Sequence, residues 1–558
     1  AVESYSYGAA FADLDNDGDL DYVCNNLNDF AFVYRNNTVE RDKNKSNYLR
    51  VRLVGENKNP MAFGAKIEIW SEGSYQFQEN FLSRGYISSV DPVTHFGLAR
   101  NTMVDSLKIT WPTTGKISVL TDLHVNQELE IEEVNSTPPG LPVSEPDRLF
   151  SPEKELLSYL HQQSDYIDFF YGQNILPHKF SQIGPCIQKG DLDGDGREDL
   201  IIGATNIEPT RVFLRKAEGF QETTIEGLSG EKNFSEVDFA IFDADLDGDN
   251  DVVVLAGGYE NTLETAYIHY LYINNNGIYS KSRLPIAQFS ASVARPFDAD
   301  HDGDMDLFIG ARIKYNRFPF SAESWILFNE KGSFTSEGAS SMDLGMVTDA
   351  TWSDYDGDGW EDLVISREWD APVILKNMQG EHLEKLELPE FEEMHGLWYS
   401  VTAADFDNDG DDDYLLGNLG ENHRFTVSKE YPLRIYALDL DKNGTIDPIS
   451  TGYWRNRYNE MKEYPVNYLD ELVGQAPYFS RKYSNYTSFS KATMDDILDD
   501  DMRMRIDHLF HVESTSSQLL WNDKGGFRWE KLPEEAQVSP IAKTIVRDFN
   551  KDGLPDIL

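Results

Sequence analysis

Eight times along this chain one nine-residue pattern returns, Asp-x-Asp-x-Asp-Gly-x-x-Asp, with Asp→Asn changes at only two of its acidic positions. Oxygen donors at alternating positions of a tight loop suit a hard cation that takes six to eight oxygens. The first copy offers Asp13, Asp15, Asp17, Asp19 and Asp21, and the second Asp191, Asp193, Asp195, Arg197 and Asp199. The third and fourth offer Asp243, Asp245, Asp247, Asp249 and Asp251, then Asp298, Asp300, Asp302, Asp304 and Asp306. Asp354, Asp356, Asp358, Trp360 and Asp362 follow, then Asp405, Asp407, Asp409, Asp411 and Asp413. The last two copies are Asp439, Asp441, Asn443, Thr445 and Asp447, and Asp548, Asn550, Asp552, Leu554 and Asp556. Positions one, three, five and nine are read as side-chain ligands and position seven as a carbonyl ligand, the only kind that Arg197, Trp360 or Leu554 can supply. Glycine always fills position six, where a sharp turn at positive φ would strain a Cβ.

The expected ion is Ca2+, up to about eight per chain. Magnesium is disfavoured because it demands rigid six-coordination and keeps its water. An EF-hand needs a bidentate Glu at loop position twelve. Here that position is Cys24, Ile202, Val254, Ile309, Ile365, Leu416 or Ser450, within apolar runs such as LIIG and VVVL that read as buried strands. Each loop therefore lies between strands. Asn443 and Asn550 lower the charge of the last two loops, which are expected to bind more weakly.

From Asp191 the first five cassettes start about 51 to 56 residues apart, near the period of a β-propeller blade. Outer hairpins recur between them: VFLRKAEGF, LYINNNGIY, ILFNEKGSF and LLWNDKGGF. Seven cassettes after residue 190 predict an all-β, calcium-binding, seven-bladed propeller over 151–558, incomplete at its C-terminal end. The gap from 447 to 548 is too long for one blade. It predicts an insertion of two or three short helices at about 453–510, rich in Trp454, Tyr458, Tyr464, Tyr468, Tyr478, Tyr483 and Tyr486. Those aromatics either pack as a cap or face a ligand. Residues 1–44 read as the last blade of an upstream propeller, so the chain is expected to be a piece of something longer. Residues 45–134 alternate as strands of a small β-sandwich-like module, and 135–150 (with NSTPPGLPVSEPD) as a linker.

A formal net charge of −48 argues against nucleic-acid or anionic-membrane binding. Apolar content of 40% is ample for packed cores, so the acidity does not signal disorder. No membrane span is visible. Cys24 and Cys186 are the only cysteines and form no disulfide framework.

The cassettes resemble FG-GAP/VCBS repeats, the calcium-binding blades of integrin α-subunit propellers and of bacterial surface proteins. NYLRVRLVG, FGAKIEIW, SRGYISS, HFGLAR and VDSLKITWPTTG resemble the ASPIC/UnbV domain. Repeats followed by that domain are similar to the cartilage acidic protein family, and QNILPHKFSQIGP before the second propeller is similar to its larger Bacteroidota relatives. The resemblance implies a secreted or lipid-anchored protein on the bacterial outer cell surface. It places His95 in a strand turn, with no catalytic role. Three functions follow as expectations. The first is a non-catalytic module that binds or adheres to a glycan or a surface protein. The second is a polysaccharide lyase or hydrolase on a calcium propeller, with Glu368 and Asp370 as example carboxylates. The third is an accessory subunit of an outer-membrane transporter complex. No catalytic constellation stands out in the sequence.

Overall fold

Alternating apolar residues build the first half of the fold, and continuous β-branched runs build the second. The computed structural model describes residues 4–41, 47–56, 58–137, 149–151, 153, 156–166, 168, 173–229, 234–261 and 266–558. It divides into two units, Ala1–Phe150 and Ser151–Leu558. Residues 138–148, most of the expected linker, lie outside the described residues.

In the first unit, Ser6–Ala12, Asp21–Asn26 and Phe32–Tyr34 form an antiparallel sheet, and the first cassette joins its first two strands. Two further sheets follow. Asn47–Val54 pairs parallel with Gln127–Glu132 and antiparallel with Thr94–Ala99. Lys66–Ser71 lies between Ser74–Glu79 and Met103–Thr110, with Ile117–His124 outside the latter. With a side-chain period of two, every second residue faces inward. Leu49, Val51 and Leu53 from one sheet meet Ile67, Ile69, Leu107 and Ile109 from the other in one core with Phe96 and Trp111. This is the expected β-sandwich.

The second unit is a series of antiparallel blades. Four-stranded sheets run over 187–223, 235–283, 290–342 and 346–385, the last with an extra short strand at Gly396–Leu397. In each, a cassette joins the first strand to the second. The second strand is buried on both faces; Asp251–Gly257 is buried throughout, which is why it reads as a β-branched run. First strands of successive blades adjoin, and the apolar layers lie between blades, as where Phe242, Val253 and Leu255 meet Ala294, Leu307 and Ile309.

The fifth blade is split. Ser400–Ala404 and Asp413–Gly417 supply its first half, and Gln518–Asp523 and Gly526–Lys531 its second. A sixth pair, Val546–Arg547 with Asp556–Ile557, holds the last cassette. Between the halves of the fifth blade lies a separate four-stranded sheet ordered Met461–Pro465, Ile449–Arg455, Leu433–Leu438, Ile506–Val512. The cassette at Asp439–Asp447 joins two strands of that inserted sheet, not of a blade.

Two expectations are thereby corrected. The insertion spans 418–517, not about 453–510, and contains strands as well as five short helices: Leu469–Gln475, Tyr478–Lys482, Tyr486–Phe489, Met494–Ile497 and Asp500–Met504. Seven cassettes after residue 190 give six blade sheets among the described residues, not seven. The cassette requires only a strand, a turn and a strand, and an inserted hairpin meets that requirement as well as a blade does. Phe479, Tyr483 and Phe489 are buried among Leu472, Ile497 and Tyr436 as a cap, while Tyr458, Tyr468 and Tyr486 are exposed. No helix among the described residues is long and apolar enough to cross a membrane.

Candidate metal centre

Each cassette folds around its first carboxylate. Asp243 accepts from the main-chain N–H of Asp247 (3.1 Å) and Gly248 (2.9 Å), and Asp439 from Asn443 (3.1 Å) and Gly444 (2.8 Å). The loops of Asp13, Asp191, Asp354, Asp405 and Asp548 repeat this pair of bonds. The sixth-position glycines have φ between 80° and 99°. At Gly18 a Cβ would also lie 2.0 Å from the Tyr48 ring. The fourth position is left-handed too, at Asn16, Gly194, Leu246, His301, Gly357, Asn408, Lys442 and Lys551. Its varied side chains concealed that requirement in the sequence.

The ninth-position aspartate is a bracket. One oxygen accepts from the second residue of its own loop, as Asp306 does from Ala299 (2.9 Å), and the other from the end of the third strand, as from Asn329 (2.8 Å). Asp251 and Asp362 repeat this with Ala244 and Asn274, and with Tyr355 and Asn377. The same asparagines tie blade to blade. The Nδ2 groups of Asn329, Asn377 and Asn522 donate to the carbonyls of Ala244, Ala299 and Tyr355, each 2.8 Å away and one loop earlier. Their side-chain oxygens accept from Gly332, Gly380 and Gly525, three residues on. The sequence shows this only as a recurring Asn-x-x-Gly turn.

Burial pushes Asp306 and Asp362 up to about 7, and Asp251 and Asp447 to about 6, against the main-chain donors that pull them down. The loops therefore hold carboxylates that burial disfavours as anions. Ligand oxygens of Asp13, Asp15 and Asp17 lie within 4.8 Å of one another, as do those of Asp191, Asp193 and Asp199, Asp243, Asp245 and Asp251, and Asp298, Asp300 and Asp302. Buried oxygens of Asp17, Asp19, Asp298, Asp304 and Asp356 have no hydrogen-bond partner. Clustered, desolvated and unpartnered oxygens fit a hard divalent cation. At the seventh position, Asp19, Asp249, Asp304 and Asp411 turn their side chains to main-chain donors of the outer hairpin or the residues that follow it.

The loops differ in their cationic neighbours. Arg35 pairs with Asp15 (2.6 Å), Arg197 with Asp195, Lys216 with Asp193 (2.8 Å) and Lys376 with Asp356 and Asp358. Arg50 reaches Asp13 at 3.0 Å. Among the described residues no such cation pairs with the loop aspartates of Asp243–Asp251, Asp298–Asp306 or Asp405–Asp413.

Outside the loops, His95 stacks on Tyr48, 5.6 Å between ring centres, on a strand of the sandwich. Both cysteines are free thiols. Glu368 is buried and held by His178 (2.6 Å) and Arg312, and Asp370 pairs with Arg367 (2.8 Å). Cations thus occupy both example carboxylates.

The ASPIC and UnbV family matches residues 55–138, and the FG-GAP-like repeat family matches 191–254 and 354–416. No curated protein matches the chain. Among solved structures, the biofilm matrix protein Bap1 of V. cholerae is 11% identical over 67% of this chain and 76% of its own, with a TM-score of 0.28. Rhamnogalacturonan lyase YesW is 12% identical over 83% and 75%, also with a TM-score of 0.28. The Dos1 propeller is 7% identical over 67% and 78%, with the same score. These scores are low, and the propeller architecture rests on the chain's own blades. The chain thus carries an ASPIC and UnbV domain at 55–138 and FG-GAP-like repeats at 191–254 and 354–416.

Proposed function

We propose that this is a calcium-braced extracellular binding protein, displayed on or secreted from the cell surface, whose ligand is an anionic glycan. One observation carries the ligand class. A cavity of about 690 Å³ in the insertion is lined by Trp454, Tyr458 and Tyr464 together with Arg455, Arg457, Lys462 and Lys491, and by no carboxylate. In a chain of net charge −48 such a patch is an exception. Among the described residues none of these four cations is ion-paired. Aromatic faces beside unpaired cations suit saccharide rings bearing carboxylates or sulfates.

Calorimetry with an anionic uronate oligosaccharide and a neutral one of equal length tests the reading. The anionic ligand should bind at least about tenfold more tightly, in a salt-sensitive way, and Arg457→Ala with Lys491→Ala should abolish that preference. Equal binding of the two, or none at millimolar concentration, would overturn it.

The calcium part of the proposal assigns the ion to the carboxylates at positions one, three, five and nine and the carbonyl at seven. The ion would neutralise the loop and brace the blade; the chemistry it supplies is structural. Asp300→Ala should lower bound calcium by about one ion per chain, read by metal analysis of desalted protein, and destabilise the third blade first. Unaltered stoichiometry would contradict the assignment of that loop.

A further inference from the structure

Two imidazoles and a carboxylate, none of them part of a cassette, meet where the inserted sheet returns to the fifth blade. His395 precedes Gly396–Leu397, the short strand that pairs with Asp362–Asp370 of the fourth blade. His511 lies on Ile506–Val512, the last strand to enter the inserted sheet, and Glu513 follows that strand. The main chain fixes them together, since the N–H groups of Glu513 (2.8 Å) and Ser514 (3.1 Å) both donate to the carbonyl of His395.

The side chains converge without bonding. The His395 and His511 rings are 4.0 Å apart. Glu513 places Oε2 3.8 Å from Nδ1 of His395 and Oε1 3.9 Å from Nε2 of His511. Both distances are too long for hydrogen bonds. His395 Nδ1 and Glu513 Oε2 are buried with no hydrogen-bond partner. Two facing, desolvated polar atoms that do not satisfy each other are costly unless something satisfies both.

The ligand atoms of all three residues lie within 4.8 Å of one another. A tetrahedral ion with bonds of about 2.0–2.1 Å holds its donors roughly 3.4 Å apart, so binding would draw these donors together by up to about 1.4 Å. Asp370 Oδ1 lies 3.6 Å from Nε2 of His395, where an outer carboxylate orients a metal-bound imidazole. Glu513 also lines a cavity of about 450 Å³ with Glu421, His423 and Lys429.

We propose that His395, His511 and Glu513 bind one transition-metal ion, Zn2+ in the first instance, at a site separate from the cassettes. Imidazole nitrogens select zinc and its neighbours, whereas the all-oxygen cassettes suit hard cations. The two kinds of site should therefore fill independently.

Tag-free full chain, stripped with EDTA and reloaded in 2 mM CaCl2, is titrated with ZnCl2 by calorimetry and, in parallel, with CoCl2 by absorption. The expected result is one Zn2+ per chain on top of unchanged calcium, and a Co2+ spectrum with tetrahedral intensity. His511→Ala and Glu513→Gln should each weaken Zn2+ at least about a hundredfold while calcium content and calcium-bound melting stay as in the parent. Failure of the calcium-saturated parent to hold zinc would overturn the proposal, as would undiminished zinc in His511→Ala. Should a variant not fold, the parent's Co2+ spectrum decides: octahedral weakness means adventitious binding only.

Discussion

Chelation of calcium should lower the unfolding temperature of this protein by on the order of 10 °C or more, and added calcium should restore it better than magnesium does. With a Kd of about 0.1 mM and free calcium of about 2 mM, linkage contributes roughly 1.8 kcal/mol per site. Seven cassettes after residue 190 would together supply on the order of 10 kcal/mol, comparable to the whole stability of an ordinary domain. The loss should also be cooperative. Asn329, Asn377 and Asn522 each bond a carbonyl inside the neighbouring loop, so a loop that opens releases the next blade. Calorimetric melting in EDTA, in calcium and in magnesium checks this, and identical curves in all three would sink it.

The metal-free protein should also carry a pH signature. Asp306 and Asp362 titrate near 7 in the fold, and Asp251 and Asp447 near 6, against about 4 unfolded. A carboxyl group raised in the folded state favours folding while protonated. That contribution is complete below about pH 4 and disappears as pH rises through about 6 to 7. In EDTA the melting temperature should therefore fall from pH 5 to pH 8. In calcium the ion replaces the proton, and the slope should flatten or reverse. A parallel fall in both conditions would mean that the ninth-position aspartates do not face the ion.

The cassette and the strands that flank it were legible because their chemistry is local. Gly248 and Asp251 serve a loop closed within nine residues, and Asp251–Gly257 declares its double burial in its own composition. The sandwich was legible for the same reason, through the period-two alternation of Leu49, Val51 and Leu53. The split fifth blade was not. Its outer hairpin at Leu519–Phe527 looks like the others, but its partner strand Asp413–Gly417 lies about a hundred residues earlier, and no local pattern records which strand a hairpin joins. The Asp439–Asp447 cassette misled in the opposite direction, since a loop of the same pattern serves a sheet that is not a blade. His395, His511 and Glu513 share no motif, and only the return of the insertion brings them together.

Glu368→Gln should destabilise the second unit by about 3–5 kcal/mol, the cost of breaking a buried ion pair from one side. Glu368 lies on the second strand of the fourth blade with its carboxylate fully buried. Its oxygens meet Arg312 from the third blade and His178 from the segment that precedes the first, so one side chain joins three parts of the chain. Glutamine keeps the shape but removes the charge, which leaves the largely buried Arg312 without its counter-ion. Burial alone would raise the pKa of Glu368, but His178 and Arg312 outweigh it and pull it down to about 2. A carboxyl group depressed in the fold stabilises above about pH 4, its unfolded value, and loses that contribution as pH falls towards 2. The gap in melting temperature between parent and Glu368→Gln should therefore be wide at pH 7 and close on acidification, with calcium present throughout. Replacing Glu368 and Arg312 together, as Glu368→Leu with Arg312→Met, should recover part of the loss, because only His178, which can shed its proton, then loses its partner. A single variant that melts with the parent at pH 7 would show that Arg312 is solvated by another route, and that this contact does not hold the blades together.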